Sequence, residues 1–450
     1  MNNKLRSIIH PQDSRSRMLR NNILLSSLIK VAGLCTSFLV VPVTLNYLAP
    51  EQYGIWMTLS SILFWFSFFD VGLGNGMRNY LAQAIAQGDS EKGRTYLTTT
   101  LVMLAAIALI LMLVMVSLAM VLDMNSVFNT TAISNAHLRQ AVIIACVFTL
   151  IVFVVKNVGM VYVALQHYAM NDLLIVSGNV AALILIYICT KVKPEGSLSS
   201  VVLIFTSVPV AVFLLGAIPL FRRHPELRPT PGSFNRAFGR QLLSKGIGFF
   251  FIQITSCLVI FGGSNIFITQ YAGPEAVTVY NIAYKYFNLL AIAYTIVVSP
   301  MWNAYTDAYV KGDYAWIRRT FSYALAVWGV TIVAGLLMLA SAPYFYSLWI
   351  GDTVSVPMSV SASVLVFISF FNLNNCVTML INGLNKIYVQ IITSVAVTAV
   401  YIAAVLLGGG RSGIEGIVSC MSGSYAVMSI IHLYQCRLLI RQRATGIWNK

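Results

Sequence analysis

The chain has 450 residues, of which 58% are hydrophobic and only 10% are charged, and its mean hydropathy is +0.79. Soluble domains are about 45–50% apolar and about 25% charged, so this composition excludes an ordinary soluble protein. Seven cysteines in 450 residues are too sparse for a disulfide scaffold, and a net charge of +15 in so apolar a chain does not indicate nucleic-acid binding. A polytopic membrane protein remains.

Twelve apolar stretches are long enough to cross a bilayer, which requires about 20 residues. Unbroken apolar runs such as Leu101–Val121 predict helices, because the strands of a membrane barrel alternate apolar and polar residues. The predicted spans are 22–48, 54–78, 97–121, 140–164, 172–190, 199–221, 242–271, 276–301, 321–342, 358–381, 391–408 and 416–436. We therefore expect an all-α polytopic membrane protein.

The distribution of basic residues predicts how the chain is oriented. With the N-terminus inside, 22 of the 29 Lys and Arg residues fall on the cytoplasmic side, 4 on the outer side and 3 within spans. Cytoplasmic loops carry an excess of this kind, so we expect both termini in the cytoplasm. The first apolar run is too long for the core of a signal peptide, so we expect no cleavable signal.

Short motifs recur at a constant offset of 224 residues, which indicates an internal repeat. The matching pairs are Pro50-Glu51 with Pro274-Glu275, Gly88-Asp89 with Gly312-Asp313, Asn79 with Asn303, and Arg94 with Arg318. Because each repeat contains six spans, both halves enter the membrane in the same sense. This predicts an N-terminal lobe over 1–225 and a C-terminal lobe over 226–450, related by an axis along the membrane normal.

The densest motifs lie within residues 40–95, and two of them are typical of a known family. They read Leu48-Ala49-Pro50-Glu51-Gln52-Tyr53-Gly54-Ile55-Trp56 and Asp70-Val71-Gly72-Leu73-Gly74-Asn75-Gly76. The chain resembles the lipid-linked oligosaccharide flippases of bacterial surface polysaccharide synthesis, the O-antigen branch of the multidrug/oligosaccharidyl-lipid/polysaccharide exporter superfamily. Related peptidoglycan-precursor flippases typically have two further spans, which are not predicted here, and this favours the O-antigen branch.

The resemblance implies a function, partners and a location. The expected function is to move a polyprenyl-pyrophosphate-linked oligosaccharide from the cytoplasmic to the outer leaflet of a bacterial inner membrane by alternating access. The expected partners are this oligosaccharide, membrane lipids, and the polymerase or assembly proteins of polysaccharide synthesis. Neither a cofactor nor a nucleic acid is expected.

Four charged residues stand out because they lie well inside predicted spans rather than at their ends: Lys30, Asp70, Lys156 and Lys285. A charge at the bilayer centre costs at least about 2.5–3.5 kcal/mol on insertion scales, so these residues are functional candidates. Three positive charges and one negative charge suit a pyrophosphate, for which lysine is a plausible partner. We predict Lys156 and Lys285, one in each lobe, as headgroup contacts, with Lys30 as a third.

Other interpretations of these charges stay open. Lys30 and Lys285 could extend their side chains to the membrane interface. Lys30 and Asp70 come at similar depth on sequential spans and could form a structural ion pair. Asp70 could instead titrate and couple transport to protons.

Polar and aromatic residues in the second half are candidate sugar contacts. Tyr280 and Tyr284 lie on one face of the eighth span, and Asn372 and Asn375 lie in the tenth. Aromatic faces can stack on sugar rings and amides can bond sugar hydroxyls, although packing and helix bridging explain the same residues. Gln253 adds an amide in the seventh span.

Two other functional classes compete with a flippase. A cation-coupled multidrug or metabolite antiporter of the same superfamily would share the spans and use Asp70 as its coupling acid. A membrane polymerase or ligase would need a large outer loop with catalytic groups, which is missing. Walker, HExxH and GxSxG motifs are missing as well, and the five histidines are scattered, so we expect neither an enzyme nor a metal site.

Overall fold

The computed structural model of the protein describes residues 14–70, 72–192, 195–243 and 263–450, with side chains from residue 25 onward. All regular secondary structure within these residues is helical. The prediction of an all-α polytopic membrane fold is confirmed, whereas the internal repeat stays a prediction. The chain divides into two compact units, which we call unit 1 (Met1–Ala49, Ile62–Val127 and Thr131–Phe251) and unit 2 (Pro50–Ser61, Phe128–Thr130 and Ile252–Lys450).

The helices of the first half belong to unit 1, except that the first twelve residues of α2 and the last residue of α5 belong to unit 2. Their bounds are α1 Ser14–Tyr47, α2 Pro50–Trp65, α3 Leu73–Ala86, α4 Ser90–Val121, α5 Met124–Phe128, α6 Asn135–Val155, α7 Asn157–Ala164, α8 Tyr168–Val192 and α9 Leu198–Arg223. Two 3₁₀ turns, Pro225–Leu227 and Pro231–Ser233, follow α9.

The helices of the second half belong to unit 2. Their bounds are α10 Gly263–Ala272, α11 Pro274–Val298, α12 Met301–Val310, α13 Tyr314–Ile350, α14 Met358–Gly383, α15 Tyr388–Leu407 and α16 Gly413–Ile440. The closest packing in this unit is between α14 and α16, and α14 also packs against α11 and α13.

The described helices account for most of the predicted spans. Ten are long and apolar enough to cross a membrane, and the bent pair Pro50–Asp70 and Leu73–Ala86 makes an eleventh if it is one span. The predicted seventh span, 242–271, lies largely outside the described residues.

Two of the predicted spans are interrupted. In the second predicted span, the segment Pro50–Asp70, which ends in a 3₁₀ turn, makes an angle of 42° with α3. Gly72 adopts a φ of +72° at this break. Such a φ favours glycine, because other residues would place Cβ against the backbone. The fourth span is interrupted at Lys156, which separates α6 from α7.

The motifs that recur at the 224-residue offset form matching turns in the two units. Gly88 and Gly312 both adopt a φ of +71°. Asp89 and Asp313 each cap the following helix, accepting backbone N–H bonds from Lys92 at 3.0 Å and Trp316 at 2.9 Å. Side-chain hydrogen bonding to Lys92 also holds the pKa of Asp89 below its usual range.

Candidate functional site

Lys30 lies in unit 1 on α1, which packs along α8. Its Nζ is 3.5 Å from the carboxylate of Asp172, and Ser26 donates a hydrogen bond to the same carboxylate. The ion pair between Lys30 and Asp70 that the sequence left open does not form among the described residues, since the acid beside Lys30 comes from α8. Sequence reasoning missed Asp172 because the fifth span was predicted to begin at that residue, whereas α8 begins at Tyr168.

This ion pair borders a polar cavity in unit 1. The cavity has a volume of about 380 Å³, and Arg78 of α3 lines it together with Lys30 and Asp172. An adjoining cavity of about 410 Å³ shares Arg78 and is also lined by Gln166. Two cations and several neutral polar groups therefore lie at one end of unit 1.

Asp70 lies in unit 1 at the break between α2 and α3. Its Oδ1 accepts the backbone N–H of Gly74 at 3.0 Å, so the carboxylate holds the first turn of α3. Lys156 interacts electrostatically with this carboxylate, although no ion pair within 4 Å forms between them. The Lys156 Nζ also lies 5.3 Å from the ring centroid of Phe153. The structure thus makes Lys156, rather than Lys30, the cation associated with Asp70.

Gly74 permits a close approach of α3 and α7. A Cβ at this position would lie 2.6 Å from Oδ1 of Asn157 and 3.2 Å from Oδ2 of Asp70. Asn157 is buried and donates to the Phe153 and Val154 carbonyls, while its own Oδ1 has no hydrogen-bond partner among the described residues. Packing therefore explains this glycine.

Asp172 changes the expected charge balance. The sequence predicted three positive charges and one negative charge at membrane depth, and Asp172 adds a second negative charge on a span. Lys30 and Lys156 each have an acid nearby in unit 1. Lys285 in unit 2 has no carboxylate within 4 Å among the residues that the structure describes.

Lys285 is the twelfth of the 25 residues of α11 and is partly buried. It lies on a polar stripe along this helix, because the stripe residues recur at intervals of three and four positions. The stripe consists of Thr278, Asn281, Lys285, Asn288 and Thr295, interrupted by Ile292. Sequence reasoning singled out Lys285 but missed the neighbouring amides, which the same helical spacing could have found.

Hydrogen bonds fix parts of this stripe within unit 2. Thr278 donates to the Pro50 carbonyl at 2.7 Å, and Asn281 donates to Asn265 Oδ1 at 3.0 Å. Asn375 of α14 donates to Thr295 at 3.5 Å. The predicted sugar contact Asn375 therefore adjoins the stripe that carries Lys285.

Asn372 is fully buried in α14, and neither its amide nitrogen nor its amide oxygen has a hydrogen-bond partner among the described residues. Its neighbour Asn374 differs, since Asn374 Oδ1 accepts a 3.1 Å bond from His432 Nδ1, and His432 Nε2 in turn bonds the Thr393 hydroxyl at 2.9 Å. Gln253 lies outside the described residues.

Tyr280 and Tyr284 stack on each other, with ring centroids 5.8 Å apart and an angle of 27° between planes. Tyr280 is buried. The ring of Tyr284 also packs near Phe367 of α14, with ring centroids 6.5 Å apart. These contacts favour aromatic packing inside unit 2, while contact with a sugar stays a prediction.

Comparisons with solved structures identify the fold. A multidrug resistance MATE family transporter of the MOP superfamily, in an inward-facing conformation, has a TM-score of 0.76 and 14% identity over 91% of this chain and 95% of its own. A MATE transporter in complex with MaL6 has a TM-score of 0.61 and 15% identity over 95% of this chain and 97% of its own.

Comparisons of sequence identify the family. A Salmonella typhi protein named for O-antigen transport is 24% identical over 352 residues, covering 76% of this chain and 78% of that protein. Its Salmonella typhimurium counterpart is 22% identical over 333 residues and covers 72% of each chain. The family model described as polysaccharide biosynthesis protein matches residues 19–302. Since this match spans more than half of the chain, the protein belongs to the polysaccharide biosynthesis protein family, and its long apolar helices are those of a multi-pass membrane protein.

Proposed function

We propose that this transporter flips a polyprenyl-pyrophosphate-linked oligosaccharide from the cytoplasmic to the outer leaflet of a bacterial inner membrane by alternating access, with both termini in the cytoplasm. The observation that carries the proposal is Lys285, a cation at the centre of a membrane-spanning helix with no carboxylate within 4 Å among the described residues. The names of the Salmonella relatives, which refer to O-antigen transport, support the substrate class.

The position of Lys285 argues against extension of its side chain to the interface. With a rise of about 1.5 Å per residue, Lys285 lies about 16 Å from the start and about 20 Å from the end of the 25-residue α11. A lysine stem reaches about 6 Å, which is too short for that distance. A cation held there needs water or an anion, because a charge at the bilayer centre is costly. A pyrophosphate in transit provides that anion.

The polar stripe on α11 supplies further groups suited to a glycolipid headgroup. Asn281 and Asn288 lie one helical turn on either side of Lys285 and are partly exposed. Amides can donate to phosphate oxygens and to sugar hydroxyls. Lys285 would bind the pyrophosphate, and the amides would bind neighbouring polar atoms. Asn372 and Asn375 stay proposed sugar contacts beside this stripe.

The antiporter alternative receives less support. Its coupling acid would be Asp70, but this carboxylate accepts the Gly74 N–H and interacts with Lys156, so it already stabilises the break in the second span. Lys156 and Lys30 are weaker headgroup candidates than Lys285 for a related reason, since an acid already lies near each of them.

The experiment compares lipid-linked oligosaccharide in the two leaflets of a host that lacks the gene. A membrane-impermeant sugar-modifying reagent measures the outer-leaflet fraction. At equal protein level, Lys285→Met should reduce the flipping rate at least about tenfold, which corresponds to about 1.4 kcal/mol, and Lys285→Arg should keep most of it. Lys311→Met, which removes an exposed lysine paired with Asp307, is the matched control and should leave the rate unchanged.

Two results would contradict different parts of the proposal. Full flipping by Lys285→Met would remove Lys285 from the headgroup site and leave the transport function in place. Normal delivery to the outer leaflet without the gene, in a host shown to have no substituting flippase, would contradict the function itself.

A further inference from the structure

Unit 2 contains a basic groove that the transport site does not use. It has a volume of about 440 Å³ and lies where the start of α13 meets the end of α16. We call it the basic groove, and its lining consists of Arg318, Phe321, Leu433, Arg437, Ile440 and Arg441. Three arginines therefore surround an apolar floor.

The three guanidinium groups have like charge and no carboxylate within 4 Å among the described residues. Arg437 and Arg441 are one helical turn apart, a spacing at which like charges destabilise a helix by about 0.2–0.5 kcal/mol. Proximity to the C-terminus of α16 compensates in part, because cations are favourable at that end. A bound anion would compensate all three charges.

The corresponding region of unit 1 is filled by the chain itself. Arg94, which matches Arg318 at the 224-residue offset, donates from Nε to the Glu226 carbonyl at 2.9 Å. Leu227 is buried against α4, and Arg228 donates to the Phe221 carbonyl at 3.0 Å. The segment that follows α9 therefore covers the groove between α4 and α9.

The segment that follows α16 takes a different course. Lys386 donates to the Asn449 carbonyl at 3.0 Å, and Gln435 donates to the Trp448 carbonyl at 3.2 Å. The backbone N–H of Tyr388 bonds the Lys450 carbonyl at 3.2 Å. The C-terminal residues thus pack beside the start of α15 and leave the basic groove open.

The chemistry of the groove selects an anionic phospholipid over a soluble anion. A planar guanidinium group can donate two parallel hydrogen bonds to the oxygens of one phosphate. Phe321, Leu433 and Ile440 provide an apolar floor for the first acyl carbons. Beyond the groove, the faces of α13 and α16 that carry its arginines continue with two apolar side chains, the partly exposed Leu325 and the exposed Ile430. A soluble anion would leave these apolar surfaces unused.

We propose that the basic groove binds the phosphodiester headgroup of an anionic phospholipid of the inner leaflet, with its acyl chains along α13 and α16. Basic pockets between membrane helices on the cytoplasmic side are suited to such headgroups. The inference rests on the proposed cytoplasmic position of the basic helix ends. It does not require that the transported substrate is a lipid-linked oligosaccharide.

The test titrates the delipidated full-length protein in detergent with phosphatidylglycerol and with phosphatidylcholine, and native mass spectrometry measures the bound fraction. We expect phosphatidylglycerol to bind more tightly than phosphatidylcholine. The groove variant Arg318→Gln/Arg441→Gln should weaken phosphatidylglycerol binding about tenfold or more, since each surface cation contributes noticeably to anionic-lipid affinity. The matched control Arg319→Gln/Arg443→Gln removes two exposed arginines near the same helix ends and should bind normally.

Two further variants separate a binding site from a general charge effect. Arg318→Lys/Arg441→Lys keeps the charge and should keep most of the binding. Leu433→Trp keeps every arginine but fills the floor, and it should weaken phosphatidylglycerol binding as well. Equal affinity of the groove variant and the unaltered protein for phosphatidylglycerol would overturn the proposal. So would a groove variant that loses affinity only for a polyprenyl diphosphate probe, because the occupant would then be the substrate.

Discussion

The lysines within the spans have different surroundings in the two units. In unit 1, Lys30 lies 3.5 Å from Asp172, and Lys156 interacts with Asp70 across a longer distance. In unit 2, Lys285 lies at the centre of α11 without a carboxylate within 4 Å among the described residues. Among the described residues, unit 1 therefore places an acid near each of these two lysines, whereas unit 2 places none within 4 Å of Lys285.

This difference suggests two roles for a lysine within a membrane span: stabilising the fold as part of a charge pair, or binding an anionic ligand. A lysine with a nearby acid reduces the cost of both charges, and removing one partner leaves the other uncompensated. A lysine without such an acid can be compensated by something that the transporter binds. Loss of an acid in unit 1 should therefore affect stability first, and loss of Lys285 should affect transport first.

The largest stability effect should come from Asp70. Asp70→Ala removes the hydrogen bond that starts α3 and the acid near Lys156, so we expect a loss of about 2 kcal/mol or more. Thermal unfolding of the purified protein in detergent measures this loss as a lower midpoint. Asp352→Ala, which changes an exposed loop acid, is the control and should leave the midpoint unchanged.

A second variant tests whether the charge of Lys156 contributes to that loss. Asp70→Ala/Lys156→Met should be more stable than Asp70→Ala alone, because no uncompensated cation remains. If the double variant is instead less stable than Asp70→Ala, the two groups do not compensate each other and the proposed difference between the units disappears.

Hydropathy was sufficient to predict the long helices among the described residues, because the length of each apolar run determines whether it can span the membrane. It did not predict the breaks at Asp70 and Lys156, since both lie within long apolar runs whose mean hydropathy stays high. At the first of these breaks, Gly72 supplies the bend with a φ of +72°.

The partners of the charged residues were harder to predict than the residues themselves. Lys30 and Asp172 are 142 positions apart and meet only because α1 packs along α8. The charge of a residue and its depth in a span are compatible with several lysine–acid pairs, and only the packing of the helices determines which pair forms. The basic groove was missed for a similar reason, because arginines at helix ends were interpreted only as a signal of orientation.

A smaller effect is expected at Asp172. Its ion pair with Lys30 is partly open to solvent, with 69% of the Lys30 side chain exposed, so the pair contributes less than a buried one. We expect Asp172→Asn to lower stability by about 1 kcal/mol, including the weakened bond from Ser26. The control is Asp307→Asn, which removes the exposed helical pair with Lys311 and should cost about 0.5 kcal/mol or less. Equal losses for the two variants would mean that the Lys30 pair behaves as a surface pair.

The smallest effect is expected at Arg318, which we compare with Arg94, its counterpart at the 224-residue offset. Arg94 bonds the Glu226 carbonyl, whereas Arg318 lines the open groove. In detergent without anionic lipid, Arg94→Gln should lower stability by about 0.5–1.5 kcal/mol, the usual contribution of one hydrogen bond. Arg318→Gln should leave stability unchanged or raise it slightly, because it reduces repulsion with Arg437 and Arg441. Thermal unfolding of both variants in one detergent gives the comparison.

If Arg318→Gln is destabilised as much as Arg94→Gln, Arg318 stabilises unit 2 by itself, and the contrast between a filled and an open groove has no energetic consequence. If added phosphatidylglycerol stabilises the unaltered protein and the Arg94→Gln variant but not the Arg318→Gln variant, the open groove is the part of unit 2 that needs an outside anion.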